Sequence, residues 1–373
     1  MTYQDRLTPW QLFYIVSGML GSFNFYLRMD KVNELSGTST YVVFLVVSAV
    51  IGLLCLPIPA VMTNKDGNDF VASHLAAFGK IVGVPVLLLL TVSLILTGGM
   101  MMNQMMILLD HYHTPHMQHY WTAILLMLVC SVFASNGGVR VFAGLFFVVI
   151  CTRLMEMGLL LFGISPYFEL RSLLPLWGGI PKQPAAAVSN TSAMYTGIEV
   201  LVFLRLYTAG LKPSAVRGSI WAAIAVHCAF LMIGSWSMIG IFGMGGIRLS
   251  DLTTIDYYKL MSYPFFEQMD EVGICIYLFW VLASLSVTLW IIASLLRKAV
   301  FRGWPTLAHD CIAALLLLAA AYGLWEMRLT QLLQKWQPII LLLLLCVYFP
   351  AYRLLHAKAM RAGDRAPAGG KSL

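Results

Sequence analysis

Apolar stretches of about twenty residues follow one another along this chain from Pro9 to Tyr352, separated by short polar clusters. A helix rising 1.5 Å per residue needs about twenty apolar residues to cross the hydrocarbon core of a bilayer. The pattern predicts ten spans, over residues 9–27, 39–62, 81–109, 119–135, 140–163, 184–209, 214–243, 270–296, 306–325 and 333–355. The clusters between them are rich in turn formers: Asn64-Lys65-Asp66-Gly67-Asn68, Ser135-Asn136-Gly137-Gly138, Lys212-Pro213-Ser214 and Arg302-Gly303-Trp304-Pro305. Residues 164–183 hold apolar positions but no span-length run, and a short interfacial helix is predicted there.

Two spans carry an interruption near their middle. The first contains Ser17-Gly18-Met19-Leu20-Gly21-Ser22, the sixth Tyr195-Thr196-Gly197. Ten spans divide into two halves of five, and an odd half reverses its own orientation, so a five-helix repeat would be inverted. Interrupted spans at matching positions of two halves point to a binding site at mid-membrane. The alternative is that these glycines only let helices pack closely. The expected architecture is a single all-α polytopic membrane domain. Residues 1–163 form its first five-helix half and 184–355 its second, with broken first and sixth helices and a basic tail over 356–373.

Composition sharpens the picture. Hydrophobic residues make up 60% of the chain and charged residues 11%, and the mean hydropathy is +0.80. Soluble domains carry about 25% charged residues, so the two soluble domains that the length would allow are excluded. The opening Met1–Leu7 has no small-residue cleavage site after it, so no cleavable signal peptide is expected. With the N-terminus placed inside, fifteen of the 24 Lys and Arg fall on the inner side, eight on the outer side, and Arg153 lies within a span. That bias predicts both termini in the cytoplasm. The formal charge of +7 then reflects topology, with the tail facing anionic lipid, and nucleic-acid binding is the wrong inference. The seven cysteines stand singly, with no C-x-x-C pair, and read as small buried hydrophobes. There is no P-loop, H-E-x-x-H, G-x-S-x-G or C-x-x-C-H, so neither an enzyme nor ATP-driven transport is expected, and no cofactor.

Glu199 carries the sharpest chemistry. It lies two residues after Gly197 inside an apolar span, where an acidic side chain costs roughly 2.5–3.5 kcal/mol and marks a functional site by default. If the two spans unwind, freed N–H groups at Gly18, Gly21 and Ser22 could hold a carboxylate, with Thr196, Gly197 and Glu199 completing the pocket. Freed carbonyls with Glu199 could hold an ammonium or a cation, a geometry suited to a zwitterion. Asn103 in the third span, beside the methionines Met100, Met101, Met102, Met105 and Met106, is a candidate polar contact. Trp280 and Ser284, one turn apart in the eighth span, are two more. Arg153 and Glu156 share a face at i, i+3, as a structural ion pair or a gate. His111, His113, His116 and His119 read as a solvated loop rather than a metal site, so no metal is expected. Asp251, Asp256, Glu267, Asp270 and Glu271 make the loop before the eighth span acidic.

Several motifs, in order, carry a family resemblance. They are Leu7-Thr8-Pro9-Trp10-Gln11-Leu12-Phe13, Leu173-Leu174-Pro175-Leu176, Tyr195-Thr196-Gly197-Ile198-Glu199 and Ser262-Tyr263-Pro264-Phe265-Phe266-Glu267-Gln268-Met269-Asp270, the last leading into Ile276-Tyr277-Leu278-Phe279-Trp280. Over most of its length the chain resembles the permease-like B subunit of bacterial spore germinant receptors, within the amino acid–polyamine–organocation superfamily. It departs from the family at Gly138-Val139-Arg140, with arginine in an acidic position, and at Ile198, where an aromatic is common. The resemblance implies a LeuT-like fold and a nutrient-sensing role in the spore inner membrane. It also implies an A-type membrane subunit and a C-type lipoprotein as partners. A stand-alone amino acid–cation symporter of the same superfamily is the rival expectation.

Overall fold

The computed structural model describes every residue except 1–5, 21–23, 64–68, 113–119, 164–166, 176–177, 249–268, 300–303, 328 and 365–373. Regular structure among the described residues is helical, as a bilayer requires of a chain that must pair its backbone within each segment. Pro9–Met19 is α1 and Phe25–Ser36 is α2; α3 is Thr40–Leu54 and α4 Ile58–Met62. Then come α5 (Phe70–Tyr112), α6 (Tyr120–Asn136), α7 (Gly138–Gly163), α8 (Pro184–Ala193), α9 (Arg205–Thr208) and α10 (Pro213–Ile247). The chain closes with α11 (Met269–Ala299), α12 (Thr306–Glu326), α13 (Thr330–Leu343) and α14 (Phe349–Asp364).

Among the described residues, seven stretches are long and apolar enough to cross a membrane. The predicted spans outside that set are the first, fourth and sixth. The first and sixth are broken, and α6, at 17 residues, is apolar but short. Three boundaries differ from expectation. The first span runs on to Ser36 through α2, so Arg28, expected in an outer loop, is only 6% exposed. The connection after Met62 is helical over its second part: α5 begins at Phe70 and breaks at Gly79, where φ is 70°. The tenth span contains Pro338 and passes through a π-helical turn, Leu344–Tyr348, before α14, and α14 takes the predicted tail as far as Asp364. The interfacial helix expected over 164–183 is the short 3₁₀ helix Leu170–Leu173, whose preceding Glu169 N–H donates to the Gly240 carbonyl at 2.9 Å.

The resembling N-terminal motif has a local physical basis. Thr8 Oγ1 accepts from the Gln11 N–H at 3.2 Å, and Gln11 Oε1 accepts from the Thr8 N–H at 2.9 Å. This capping box, with Pro9 in the first turn, starts α1. The Leu7 N–H donates to the Tyr207 carbonyl at 2.9 Å, which ties the chain's start to the later part of the broken sixth span. From there α1 runs between α7 and α10 into the centre of the bundle. All seven cysteines are free thiols; Cys55 and Cys228 are buried, and the rest lie on the outer surface of the bundle.

Candidate functional site

The two breaks meet at the centre of the bundle. At the end of α1 the chain turns extended at Leu20 (φ −62°, ψ 120°). At the end of α8 it passes through Gly197, whose φ of 109° leads into the 3₁₀ helix Ile198–Leu204. Such a φ suits only glycine, and a Cβ at Gly197 would also lie 2.4 Å from the Met19 carbonyl oxygen. Gly18 is needed for space: a Cβ there would lie 2.0 Å from the Phe146 ring of α7. The Gly18 carbonyl, freed by the break, accepts from the Trp280 indole N–H. Gly18, Gly197 and Trp280 are thus brought together around Met19. Gly21 and Ser22 lie outside the described residues.

Much of the backbone that the sixth-span break frees is satisfied by the protein itself, because an unpaired backbone group costs most in an apolar interior. The Ala193 carbonyl accepts from Asn24 Nδ2 at 2.8 Å and from Thr196 Oγ1 at 2.7 Å. The Met194 carbonyl accepts from His227 Nε2 at 3.0 Å, so that nitrogen carries the proton. The Gly197 N–H donates to Glu199 Oε2 at 2.8 Å. Glu199 is therefore a local cap for the 3₁₀ helix, and it is half-buried among apolar side chains. It lines a cavity of about 30 Å³ between α5 and α13, with Ser93, Thr97, Thr196 and Gln337. A smaller one, about 10 Å³, places Leu344 and Tyr348 of the π turn beside it. Met100 reaches the first cavity, whereas Met101, Met102, Met105 and Met106 are core. Asn103 and Ser284 are buried, but neither lines the Glu199 cavities.

Arg153 stands on the other side of α1. Its guanidinium carbon is 3.6 Å from the centroid of the Phe230 ring and 3.6 Å from that of Trp280, with Phe25 at 5.8 Å. A cation between ring faces gains about 2 kcal/mol or more when desolvated. Since Trp280 also bonds Gly18, the charge is seated against the α1 break. Glu156 is buried on the same helix. The predicted site residues therefore fall into two groups: Gly18, Trp280 and Arg153 by α7, α10 and α11, and Thr196 and Glu199 by α5 and α13.

A polar clamp absent from the sequence-based reading lies above the breaks. Arg28 Nε donates to Asn24 Oδ1 at 3.1 Å, Nη1 to Asn190 Oδ1 at 2.9 Å, and Nη2 to the Gln334 carbonyl at 2.8 Å and to Gln337 Oε1 at 3.3 Å. Asn24 Nδ2 also donates to Gln337 Oε1 at 3.2 Å. The clamp joins α2, α8 and α13. The signal for it was Asn24 and Arg28 one helical turn apart, hidden by ending the first span at 27. Below the breaks, Arg205 donates to the Tyr352 hydroxyl at 2.8 Å and lies 2.9 Å from His356 Nε2. The side chains of the histidine cluster, and residues 251–268 of the acidic loop with most of the 262–270 motif, fall outside the description. No group of three or more potential metal ligands occurs among the described residues.

Known proteins place this arrangement. Among curated proteins, none matches the chain in sequence. A sodium-coupled sialic acid symporter in its substrate-bound outward-open state superposes with a TM-score of 0.67 at 12% identity, covering 99% of this chain and 92% of that one. MhsT in complex with L-phenylalanine gives 0.62 at 16% identity, covering 94% and 96%. At these identities the likeness is one of fold, the LeuT-type transporter fold with broken first and sixth helices. Residues 6–303 match the sequence model of the spore permease family, spore germination protein. With that match over most of its length, the chain is an integral membrane protein that belongs to the spore germination protein family.

Proposed function

We propose that this chain is the permease-like subunit of a spore nutrient germinant receptor. In this reading it binds a small germinant, an amino acid, at the paired helix breaks and passes the change of state to an A-type membrane subunit and a C-type lipoprotein. The observation that carries this reading is the meeting of the two breaks at Gly197 and Met19 beside the half-buried carboxyl of Glu199. The ammonium of the ligand pairs with Glu199, and Thr196 and Gly197 complete the pocket. Its carboxylate lies toward the break that ends α1, with the Arg153 guanidinium, seated against that break through Trp280, supplying positive charge.

The cavity at Glu199, about 30 Å³, is about one water molecule's share of liquid volume. An amino acid therefore enters only after the Arg28 clamp releases α2 and α8 from α13. A ligand that favours the released state shifts the population by its differential affinity, and that shift is the signal. Both termini lie in the cytoplasm, so the clamp faces the outside, where a nutrient arrives.

The test is the thermal midpoint of the purified protein with a panel of amino acids, wild type against Glu199→Gln. Glutamine keeps an oxygen acceptor for the Gly197 N–H and removes the charge. A ligand-specific rise in the wild type that is lost in the variant is expected; an equal rise in both would sink the assignment. A second reading, a stand-alone amino acid–cation symporter, takes its support from the two neighbours, one a sodium-coupled symporter and the other holding L-phenylalanine. Uptake of labelled amino acid by the isolated chain in proteoliposomes separates the two.

A further inference from the structure

A cavity larger than those at Glu199 lies away from the helix breaks. It is a lateral cleft of about 620 Å³ at the end of the bundle that carries the N-terminus. Gly79 creates it. With φ at 70° there, the helix breaks between the segment Phe70–Phe78 and the long apolar helix from Lys80 onward. The last turn of α11 closes the third side, so the cleft is walled by Val71 and Leu75, by Val84, Leu87 and Leu88, and by Leu295 and Leu296. Its apolar wall opens outward: Val84 is 44% and Leu88 54% exposed, and Ile81 beside them 91%.

The mouth is charged. Lys80, Arg297, Lys298 and Asp69 line it, three cations against one carboxylate. Lys298 is bound to Asp69, which leaves Lys80 and Arg297 facing the cleft. The Nε of Arg297 is buried with no hydrogen-bond partner among the described residues, and its charge also acts on Asp310 of α12 from behind. A basic mouth over an apolar, outward-facing wall at the boundary of the spans matches one amphiphile: a phosphate above and acyl chains below.

We infer that this cleft is a binding site for an anionic phospholipid, with the phosphate held by Lys80 and Arg297 and an acyl chain along Val84, Leu87 and Leu88. A second cavity, about 250 Å³, shares Asp69, Leu295, Arg297 and Lys298 with the cleft and reaches Phe203 and Tyr207 of the broken sixth span. A lipid headgroup in the mouth therefore sits one layer of side chains from the element that carries Glu199. The inference does not depend on which ligand the breaks bind.

The experiment is the thermal midpoint of the full chain in detergent micelles, titrated with phosphatidylglycerol, phosphatidylcholine or inorganic phosphate. Phosphatidylglycerol is expected to raise the midpoint, and the other two to leave it. In Lys80→Gln/Arg297→Gln the lipid concentration needed rises by about tenfold or more. The charge-conserving Lys80→Arg/Arg297→Lys should keep the response, which separates loss of binding from loss of fold. An equal gain with phosphatidylcholine would reduce the site to apolar contact, an equal gain with phosphate to a soluble-anion site, and a gain surviving in the Gln variant to neither cation. Any of the three overturns the inference.

Discussion

Gly18 and Gly197 illustrate how a single residue type serves two physical ends. At Gly197 the backbone demands a positive φ and the obstacle to a Cβ is a carbonyl oxygen. At Gly18 the obstacle is the ring of Phe146, a side chain. Gly197→Ala should therefore destabilise by about 2 kcal/mol or more, since left-handed backbone alone costs a non-glycine residue about 1–2 kcal/mol. Gly18→Ala should also destabilise, but Phe146→Leu added to it should recover part of the loss. The check is a double-mutant comparison of thermal midpoints for Gly18 and Phe146; no recovery would mean that the close approach of the ring is not what selects glycine. Both glycines stood out in the sequence. Their reasons did not, because a ring from α7 and a carbonyl from α1 arrive from residues far along the chain.

The helices are held across the breaks by polar groups whose partners are long-range. Arg28 joins three helices, and truncating it takes the donor from the buried Asn24 Oδ1 and from the half-buried Asn190 Oδ1, the costly half of a lost hydrogen bond. Arg28→Ala should loosen α2 and α8 from α13, and a cysteine placed at Thr196 should then react faster with a thiol reagent; an unchanged rate would detach the clamp from access to the site. At the start of α1 the capping box is local and its cost transferable: Thr8→Ala should lower stability by about 1 kcal/mol, read from the thermal midpoint. Both partners of the cap lie within one turn, Thr8-Pro9-Trp10-Gln11, so its signal is local. That of the clamp is not, because hydropathy treats an arginine as a loop residue until its partners are known.

At the scale of the whole molecule, the ion pair between Asp69, at the start of α5, and Lys298, at the end of α11, is sensitive to pH. Burial raises the Asp69 carboxyl, but the Ala72 N–H, the Lys298 ammonium and the Val71 N–H together outweigh it and hold the group below the usual carboxylate range. A lowered folded value means that the ionised form stabilises the fold. The gain is full above the ordinary carboxylate pKa of about 3.9 and is lost as pH falls through the lowered value. The midpoint of the wild type should thus fall on acidification below about pH 4 more than that of Asp69→Asn, and parallel curves would remove the Asp69–Lys298 pair from the account. The proposed orientation has its own check: a cysteine at Lys358 should be shielded, and one at Lys182 labelled, by an impermeant reagent on intact cells.

Membrane residence, helical class, the positions of the two breaks and the absence of known catalytic motifs were determined by the sequence alone. Each is a statement about composition or local spacing, and the bilayer punishes exceptions to it strongly. Tertiary structure alone decided what surrounds the breaks. It turned Glu199 toward α5 and α13 and seated Arg153 between Phe230 and Trp280. It also opened the basic cleft behind Gly79. Which face of an almost uniformly apolar helix meets which neighbour is set by packing between distant segments, and hydropathy that is high all round carries no direction.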